Sequence, residues 1–269
     1  MSKHWTLDDI PWEAFEAAKV DPDLLCIAKA ASMVEHNARD YADYLCNIFH
    51  ADPEFQEAAR NWAEEEEQHG EALSRWSEIA DSAFDFKESF RRFTEGFKIP
   101  VESVLSVRGS RTGELISRCI VEVGTSSYYS ALADASDEPV FKAICQNIAH
   151  DEFRHYKLFY THMQRYYQDD CLNVLQRLRI ALGRIIESED DELAFAYFCA
   201  NDVRGPYIRK KSSAEYLKRA YRYYQPFHLE RAITMTLKAT AIRLSDRKLQ
   251  WLAKSAHRFI QWRARNLAT

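Results

Sequence analysis

Residues 62–70 read Trp62-Ala63-Glu64-Glu65-Glu66-Glu67-Gln68-His69-Gly70, and the spacing inside this stretch governs how the rest of the chain is read. Glu66 and His69 stand three apart, so on a helix they share one face, one turn from each other. A carboxylate and an imidazole placed that way can reach one metal ion from one helix. The same spacing returns downstream in Asp151-Glu152-Phe153-Arg154-His155. Two such pairs on two helices, completed by a glutamate from each of two more, make the ligand set of a dinuclear site inside a four-helix bundle.

The helices that would supply the set follow from the hydrophobic period. Asp21-Pro22 predicts a helix start, with Asp as cap and Pro preset at the first helical position. From there Ala28, Ala31, Glu35, Ala38, Ala42, Leu45 and Phe49 alternate steps of three and four, a bundle seam with a glutamate on it. After a break at His50-Ala51, Asp52-Pro53 repeats the start, and so short a connection implies antiparallel neighbours. The second seam is Phe55, Ala59, Trp62, Glu66, His69, Leu73, Trp76 and Ala80.

Between Asp81 and Arg111 the regular seam is lost. Phe86, Phe90, Phe93 and Phe97 suggest a short amphipathic helix, and Pro100, Gly109 and Gly113 punctuate the chain. A segment of this length suits a crossover along the bundle. The third seam is Leu115, Cys119, Glu122, Ser126, Tyr129 and Ala133. A break at Ala135-Ser136-Asp137 leads to the fourth: Phe141, Cys145, Ile148, Glu152, His155, Phe159, His162 and Tyr166. The polar seam residues thus run Glu, Glu-x-x-His, Glu, Glu-x-x-His.

One Glu-x-x-His is weak evidence, since helices carry such pairs by chance, and Glu64 to Glu67 alone would read as a solvated face. Register changes the reading. Four helices each place a glutamate where alanine, leucine or an aromatic should stand, and buried carboxylates without partners are destabilising. Two divalent cations with two histidines would neutralise Glu35, Glu66, Glu122 and Glu152. Four carboxylates and two imidazoles are a hard, oxygen-rich set that favours iron, or manganese with iron. A metal-bound histidine usually donates its other N–H to a carboxylate. Asp151 is placed to serve His69 across the bundle, and Glu65 to serve His155 by pseudo-symmetry.

The rest of the chain bounds the class. Only 7 Gly and 7 Pro in 269 residues favour a mostly helical protein. The six cysteines form no Cys-x-x-Cys pair and read as buried free thiols. No apolar run is long enough to span a bilayer, and Met1 to Val20 lacks the pattern of a signal peptide, so a soluble cytoplasmic protein is expected. Trp5, Ile10, Trp12 and Phe15 make that leader too apolar for a free tail. Beyond Asp169, helices are predicted over Leu172–Ile186 and Asp191–Asp202. A further helix from a capping box at Ser212-x-x-Glu215 should run to Tyr224. A last stretch from Pro226 to Leu267 is expected to break near Ser245-Asp246. The chain is read as one domain, with a bundle core over 21–167 and a helical extension over 170–269 packed on it.

Charge is uneven. The net charge is −5, yet residues 204–269 hold 16 Lys/Arg against 3 Asp/Glu. Either this basic tail packs on the acidic body or it offers a face to an anionic partner, such as an acidic carrier protein or a phosphorylated ligand. Nucleic acid is disfavoured, because no binding motif accompanies the charge.

These residues resemble the ferritin-like di-iron carboxylate superfamily. Within it, Trp62-x-x-Glu65-Glu66-x-x-His69-Gly70 and Asp151-Glu152-x-Arg154-His155 look most like the soluble acyl-carrier-protein desaturases. The resemblance covers residues 21–167 and implies an all-α ferritin-like four-helix bundle with one long crossover. It implies Glu35, Glu66, His69, Glu122, Glu152 and His155 as ligands of two iron ions, with one glutamate of each pair bridging them. Thr125 matches the threonine that desaturases place beside the oxygen-binding face. Ser126 competes for that role, and either hydroxyl could simply bond its own helix backbone. The tyrosine that the radical-generating ribonucleotide reductase subunit keeps four residues after its first histidine is Leu73 here, with Phe159 at the matching place after His155. A stored radical there is not expected, although Tyr129 leaves another site open.

The expected function is O₂ activation to oxidise an organic substrate by desaturation, hydroxylation or N-oxidation. The substrate would be a small molecule or a carrier-bound acyl-like group, with an electron donor as partner and a homodimer as the assembly. The alternative is a ferroxidase or other metal-handling protein without an organic substrate, and a third possibility is a scaffold that keeps its metals for stability. Phe86, Phe90, Phe93 and Phe97 could line an apolar channel or simply pack.

Overall fold

Asp21 opens the first helix as the sequence predicts, its carboxylate accepting from the Asp23 and Leu24 amides at 2.7 and 3.3 Å. The computed structural model, which describes residues 4–187, 191–201 and 205–266, is all-helical, with no strand among the described residues. Its helices are α1 (Pro22–His36), α2 (Ala38–Ile48), α3 (Pro53–Ala80), α4 (Phe86–Gly96), α5 (Arg111–Ala135), α6 (Pro139–Asp170), α7 (Val174–Glu187), α8 (Asp191–Asn201), α9 (Arg209–Tyr221), α10 (Pro226–Ala239) and α11 (Asp246–Asn266). None is long and apolar enough to cross a membrane.

The predicted seams are the buried faces. All of the α3 seam from Phe55 to Trp76 is buried, as are the α5 seam and the α6 seam apart from half-buried His162. The long segment α1–α2 and α3 form one hairpin, α5 and α6 the other, and α3 packs against α6. Asp52 caps α3 by accepting from the Phe55 amide at 3.1 Å, and Glu138 caps α6 by accepting from Phe141 at 2.7 Å. The apolar core is split in two. Ile27, Met33, Leu73, Trp76, Tyr129, Phe141 and Ile148 fill one half. Leu45, Phe55, Trp62, Leu115, Cys119, Phe159 and Met163 fill the other. Every predicted ligand falls in the layer between them.

The first seam differs from expectation at one point. Its register holds from Ala28 to Phe49, but the helix breaks at Asn37, whose φ of −88° and ψ of 11° leave the helical region. The Asn37 amide donates to Val34 O at 3.2 Å, a tightened turn two residues after Glu35. Gly113 lies inside α5 rather than before it.

The leader winds through three short 3₁₀ turns, Leu7–Asp9, Trp12–Ala14 and Ala17–Lys19, and buries Ile10 while Trp5, Trp12 and Phe15 pack on the core. Met1 to Lys3 lie outside the described residues, as do Asp202 and Leu267 at the predicted helix ends. In the crossover, Phe93 is fully buried and Phe86 and Phe90 meet the His36 ring edge-on, so these aromatics pack.

The C-terminal helices cover the bundle: α8 and α9 lie on α1, and α7 and α10 on α5. The Ser212-x-x-Glu215 capping box is not formed, because α9 begins earlier, at Arg209 after Ile208, which leaves Ser212 mid-helix. Part of the tail's charge is paired with the body. Arg219 reaches Asp23 at 3.0 Å, Arg222 also contacts Asp23, and His228 meets Asp134 at 3.0 Å. By contrast Arg247, Lys248, Lys254, Arg258 and Arg265 on α11 form no ion pair among the described residues.

Candidate metal centre

Glu66 and His69 come from mid-α3, Glu152 and His155 from mid-α6, Glu122 from α5, and Glu35 from the last turn of α1 before the Asn37 break. The six side chains meet in the polar layer as two interlocking groups. Glu35, Glu66, His69 and Glu152 form one, and Glu66, Glu122, Glu152 and His155 the other, each with its ligand atoms within 4.8 Å of one another. Glu66 and Glu152 belong to both.

Each shared carboxylate divides its oxygens between the groups. Glu66 Oε2 lies 2.9 Å from His69 Nδ1, and Oε1 lies 3.1 Å from His155 Nδ1. Glu152 sets Oε1 3.4 Å from His69 Nδ1 and Oε2 3.8 Å from His155 Nδ1. Both imidazoles therefore turn Nδ1 inward. Their outward Nε2 atoms meet the carboxylates expected from sequence: His69 reaches Asp151 Oδ2 at 3.1 Å, and His155 reaches Glu65 Oε2 at 2.9 Å. Arg154 ties the two outer carboxylates together, its Nη2 donating to Asp151 at 2.6 Å and to Glu65 at 2.8 Å.

The layer carries strongly opposed electrostatics. Burial, then the charges of Glu66 and Glu152, push Glu35 well above the usual carboxylate range, and burial does the same to Glu122. Burial also works against ionisation of Glu66 and Glu152, but the two histidines outweigh it and hold both low. Both imidazoles are raised, the surrounding carboxylates prevailing over burial. For Asp151, the contacts to His69 and Arg154 overcome burial and hold the carboxyl well below its ordinary value.

Several buried atoms in this layer make no hydrogen bond: both oxygens of Glu122, Oε1 of Glu152 and Nδ1 of His155. Such orphans are rare in folded proteins. The Glu122 and His155 atoms belong to one group and Glu152 Oε1 faces His69 in the other, so a cation in each group would satisfy them all. The donor set of oxygens and two imidazole nitrogens fits two divalent ions.

No protein-family model matches the chain, and a search of curated proteins finds no match. The reading of the site therefore stands on its geometry.

Thr125 and Ser126 part company. The Thr125 hydroxyl lies 2.7 Å from Glu152 Oε2 and also within reach of the Val121 and Glu122 carbonyls at 3.2 Å. Ser126 donates instead to the Ala149 carbonyl at 3.1 Å, tying α5 to α6. Two contacts escaped the sequence reading. Tyr129 donates to Glu35 Oε1, which its place on the α5 seam could have suggested. Trp5 stacks parallel to His69 with ring centroids 5.9 Å apart, and its Nε1 donates to Asp151 Oδ2 at 2.6 Å. Nothing in the leader's own sequence names that target. Gly70 explains how α1 comes so near α3: a Cβ there would sit 2.6 Å from His36 Cβ and 2.8 Å from Ser32 O.

Proposed function

We propose that this chain is a ferritin-like dinuclear metal protein, holding two iron ions or manganese with iron, that activates O₂ to oxidise an organic substrate. The observation behind this reading is the pair of interlocking Glu/His groups whose shared members, Glu66 and Glu152, each present one oxygen to either side. Glu35 and His69 would hold one cation, Glu122 and His155 the other, with Glu66 and Glu152 between them. When bound in the reduced state, such a pair supplies the electrons and open positions for O₂ activation.

The chain's own residues prepare the site. Asp151 and Glu65 accept from the outward Nε2–H groups, fixing the tautomer that leaves both Nδ1 atoms free to ligate. Arg154 holds those acceptors ionised and in place. The apolar core halves above and below exclude water. Thr125 keeps a hydroxyl proton 2.7 Å from Glu152 Oε2, within range to donate there or pass a proton on. Oxidation of an organic substrate is favoured over metal handling because the helices from α7 onward wall the bundle, whereas a bare bundle suffices to bind metal. Glu35 and Thr125 are partly exposed, whereas the other five members are buried.

The test is metal analysis of anaerobically loaded protein followed by rapid mixing with O₂. Two metals per chain with rapid oxygen uptake by the reduced protein supports the proposal. Metal binding that stabilises the fold without oxygen uptake would overturn it in favour of a scaffold. Uptake that yields only ferric mineral, in a cage-sized particle on gel filtration, would favour the ferroxidase.

A further inference from the structure

Arg118 lies on α5 one turn before Glu122, and it is 8 % exposed. Its guanidinium stacks over the Tyr41 ring, 5.0 Å from the centroid. Beyond that contact it has no hydrogen bond and no ion pair among the described residues, and its buried Nε is an orphan donor. Its two terminal nitrogens, which are not among the buried orphans, are thus left to a ligand, and a guanidinium this far withdrawn from water without an acid partner is unfavourable until one arrives. The acids nearby are engaged elsewhere. Glu114 accepts from Tyr44 at 2.9 Å and Ser106 at 2.7 Å, and Glu192 Oε2 accepts from Tyr41 at 2.8 Å. Asn37, one turn before Tyr41, is 7 % exposed, and its side chain makes no hydrogen bond among the described residues.

Arg118 also stands in line with the carboxylate–histidine layer. Glu114, Arg118, Val121 and Thr125 step by four, three and four along α5, so they form one stripe beside the Cys119–Glu122–Ser126 seam. Val121 and Thr125 are partly open to solvent, and Gly124 beside them is exposed with open space where a Cβ would project. Arg118 stands about 10 Å along the helix axis from Thr125 and about 6 Å from Glu122. A ligand held at Arg118 and lying along this stripe would bring a carbon several bonds from its anchor to Thr125, which touches Glu152 at the edge of the cluster.

We infer that Arg118 is the anchor for the carboxylate of an aliphatic carboxylic acid, which lies along α5 with its chain toward Glu122 and Thr125. This rests on the oxidase reading and narrows its substrate class. A planar guanidinium forks onto a carboxylate through two parallel N–H···O bonds. One guanidinium balances one negative charge, and Glu192 across Tyr41 would oppose a second. A monoanionic carboxylate therefore fits better than a dianionic phosphate ester.

The experiment measures binding of octanoate, octanol and octyl phosphate to the metal-loaded protein by calorimetry and thermal shift, for the native chain and for Arg118→Gln and Arg118→Lys. Octanoate should bind and raise Tm with concentration, and octanol should bind at least tenfold more weakly. Arg118→Gln should lose octanoate affinity by about tenfold to a hundredfold, with Arg118→Lys between. Because the side chain is unpaired, the ligand-free Arg118→Gln protein should melt no lower than the native chain. A structural arginine would give the opposite. Equal binding of octanoate and octanol by the native chain would overturn the proposal without any variant. Octyl phosphate binding more tightly than octanoate, or octanoate binding unchanged in Arg118→Gln, would also overturn it. Metal content and oxygen uptake are read on the same samples. Octanoate binding that persists without oxygen uptake would sink the oxidase and leave the anchor standing.

Discussion

Gly70→Ala isolates the contact that sets Glu35. The new Cβ would sit 2.6 Å from His36 Cβ, 2.7 Å from His36 N and 2.8 Å from Ser32 O, atoms of the α1 backbone or tied to it. Carbon atoms at ease stand about 3.5–4.0 Å apart, so α1 has to retreat by about 1 Å. Glu35 is the residue next to His36, and a metal ligand tolerates errors of only about 0.2 Å. Overpacking of this kind costs about 1–3 kcal/mol. At about 2–4 °C per kcal/mol for a chain of this size, Tm should fall by roughly 2–12 °C. The metal-loaded variant should hold one tightly bound ion instead of two, because Glu122, Glu152 and His155 sit on α5 and α6, away from the α1–α3 contact, and Glu66 stays with its own helix while α1 retreats. Gly124→Ala is the control: no atom lies within 4 Å of its Cβ, and the change should raise helix stability by up to about 1 kcal/mol. Metal stoichiometry by elemental analysis and melting by circular dichroism provide the readouts. If Gly70→Ala binds two ions and melts with the native chain, the close approach does not position Glu35.

Asp151→Asn should weaken metal binding by about 10–100-fold in a chelator competition, because His69 and Trp5 lose the charged acceptor that orients them. An unchanged affinity would mean that Asp151 is a bystander. Loading the site should also release protons. His69 and His155 are raised by their carboxylate neighbours and Glu35 and Glu122 by burial, so about four protons should leave as two cations enter. Calorimetry in buffers of differing ionisation enthalpy counts them, and a release near zero refutes the protonated empty layer. Asp52→Ala removes the α3 cap and the acceptor of the 2.5 Å Tyr166 hydrogen bond, and should cost about 1–2 kcal/mol at neutral pH. Burial raises Asp52, but Tyr166, the Phe55 amide and Arg165 outweigh it and leave its pKa depressed. Its contribution is therefore complete above the unfolded value of about 3.9 and is lost as pH falls through the lower folded one. The Tm gap between variant and native chain should close in acid, and a gap that widens there would reverse the assignment.

The bundle helices were legible because their signals are local and repeat. Caps at Asp21-Pro22 and Asp52-Pro53 fix where helices begin, and the alternating three-four spacing fixes which face turns inward. That spacing also put Glu35, Glu66, Glu122 and Glu152 in one layer before any coordinates, since seams in register bring equal depths together. The Asn37 break was hidden for a related reason. The step from Glu35 to Ala38 stays in phase across the tightened turn, so the pattern records no interruption. Ser212-x-x-Glu215 misled because a capping box is a side-chain pattern, whereas the α9 start is set by the extended backbone at Ile208. Trp5 on His69 and the solitude of Arg118 are long-range facts. No spacing rule reaches from residue 5 to residue 69, and none reports that a cation lacks a partner.

The two halves of the layer are built to different standards of rigidity. Glu122 and His155 lie fully buried on α5 and α6, the most extensively paired helices of the molecule. Glu35, by contrast, is half-buried, sits two residues before a helix break and is positioned through its neighbour His36, which packs on Gly70 and against Phe86 and Phe90 of the crossover. Its carboxylate accepts from Tyr129, a partner it must share or release when a cation enters. A ligand beside a helix break can shift with less disturbance of the core than Glu122, whose movement would require repacking α5 against α6. Adaptability is thus confined to the Glu35–His69 half, while Thr125, on Glu152 Oε2, and Arg118, one turn before Glu122, stand on the rigid half.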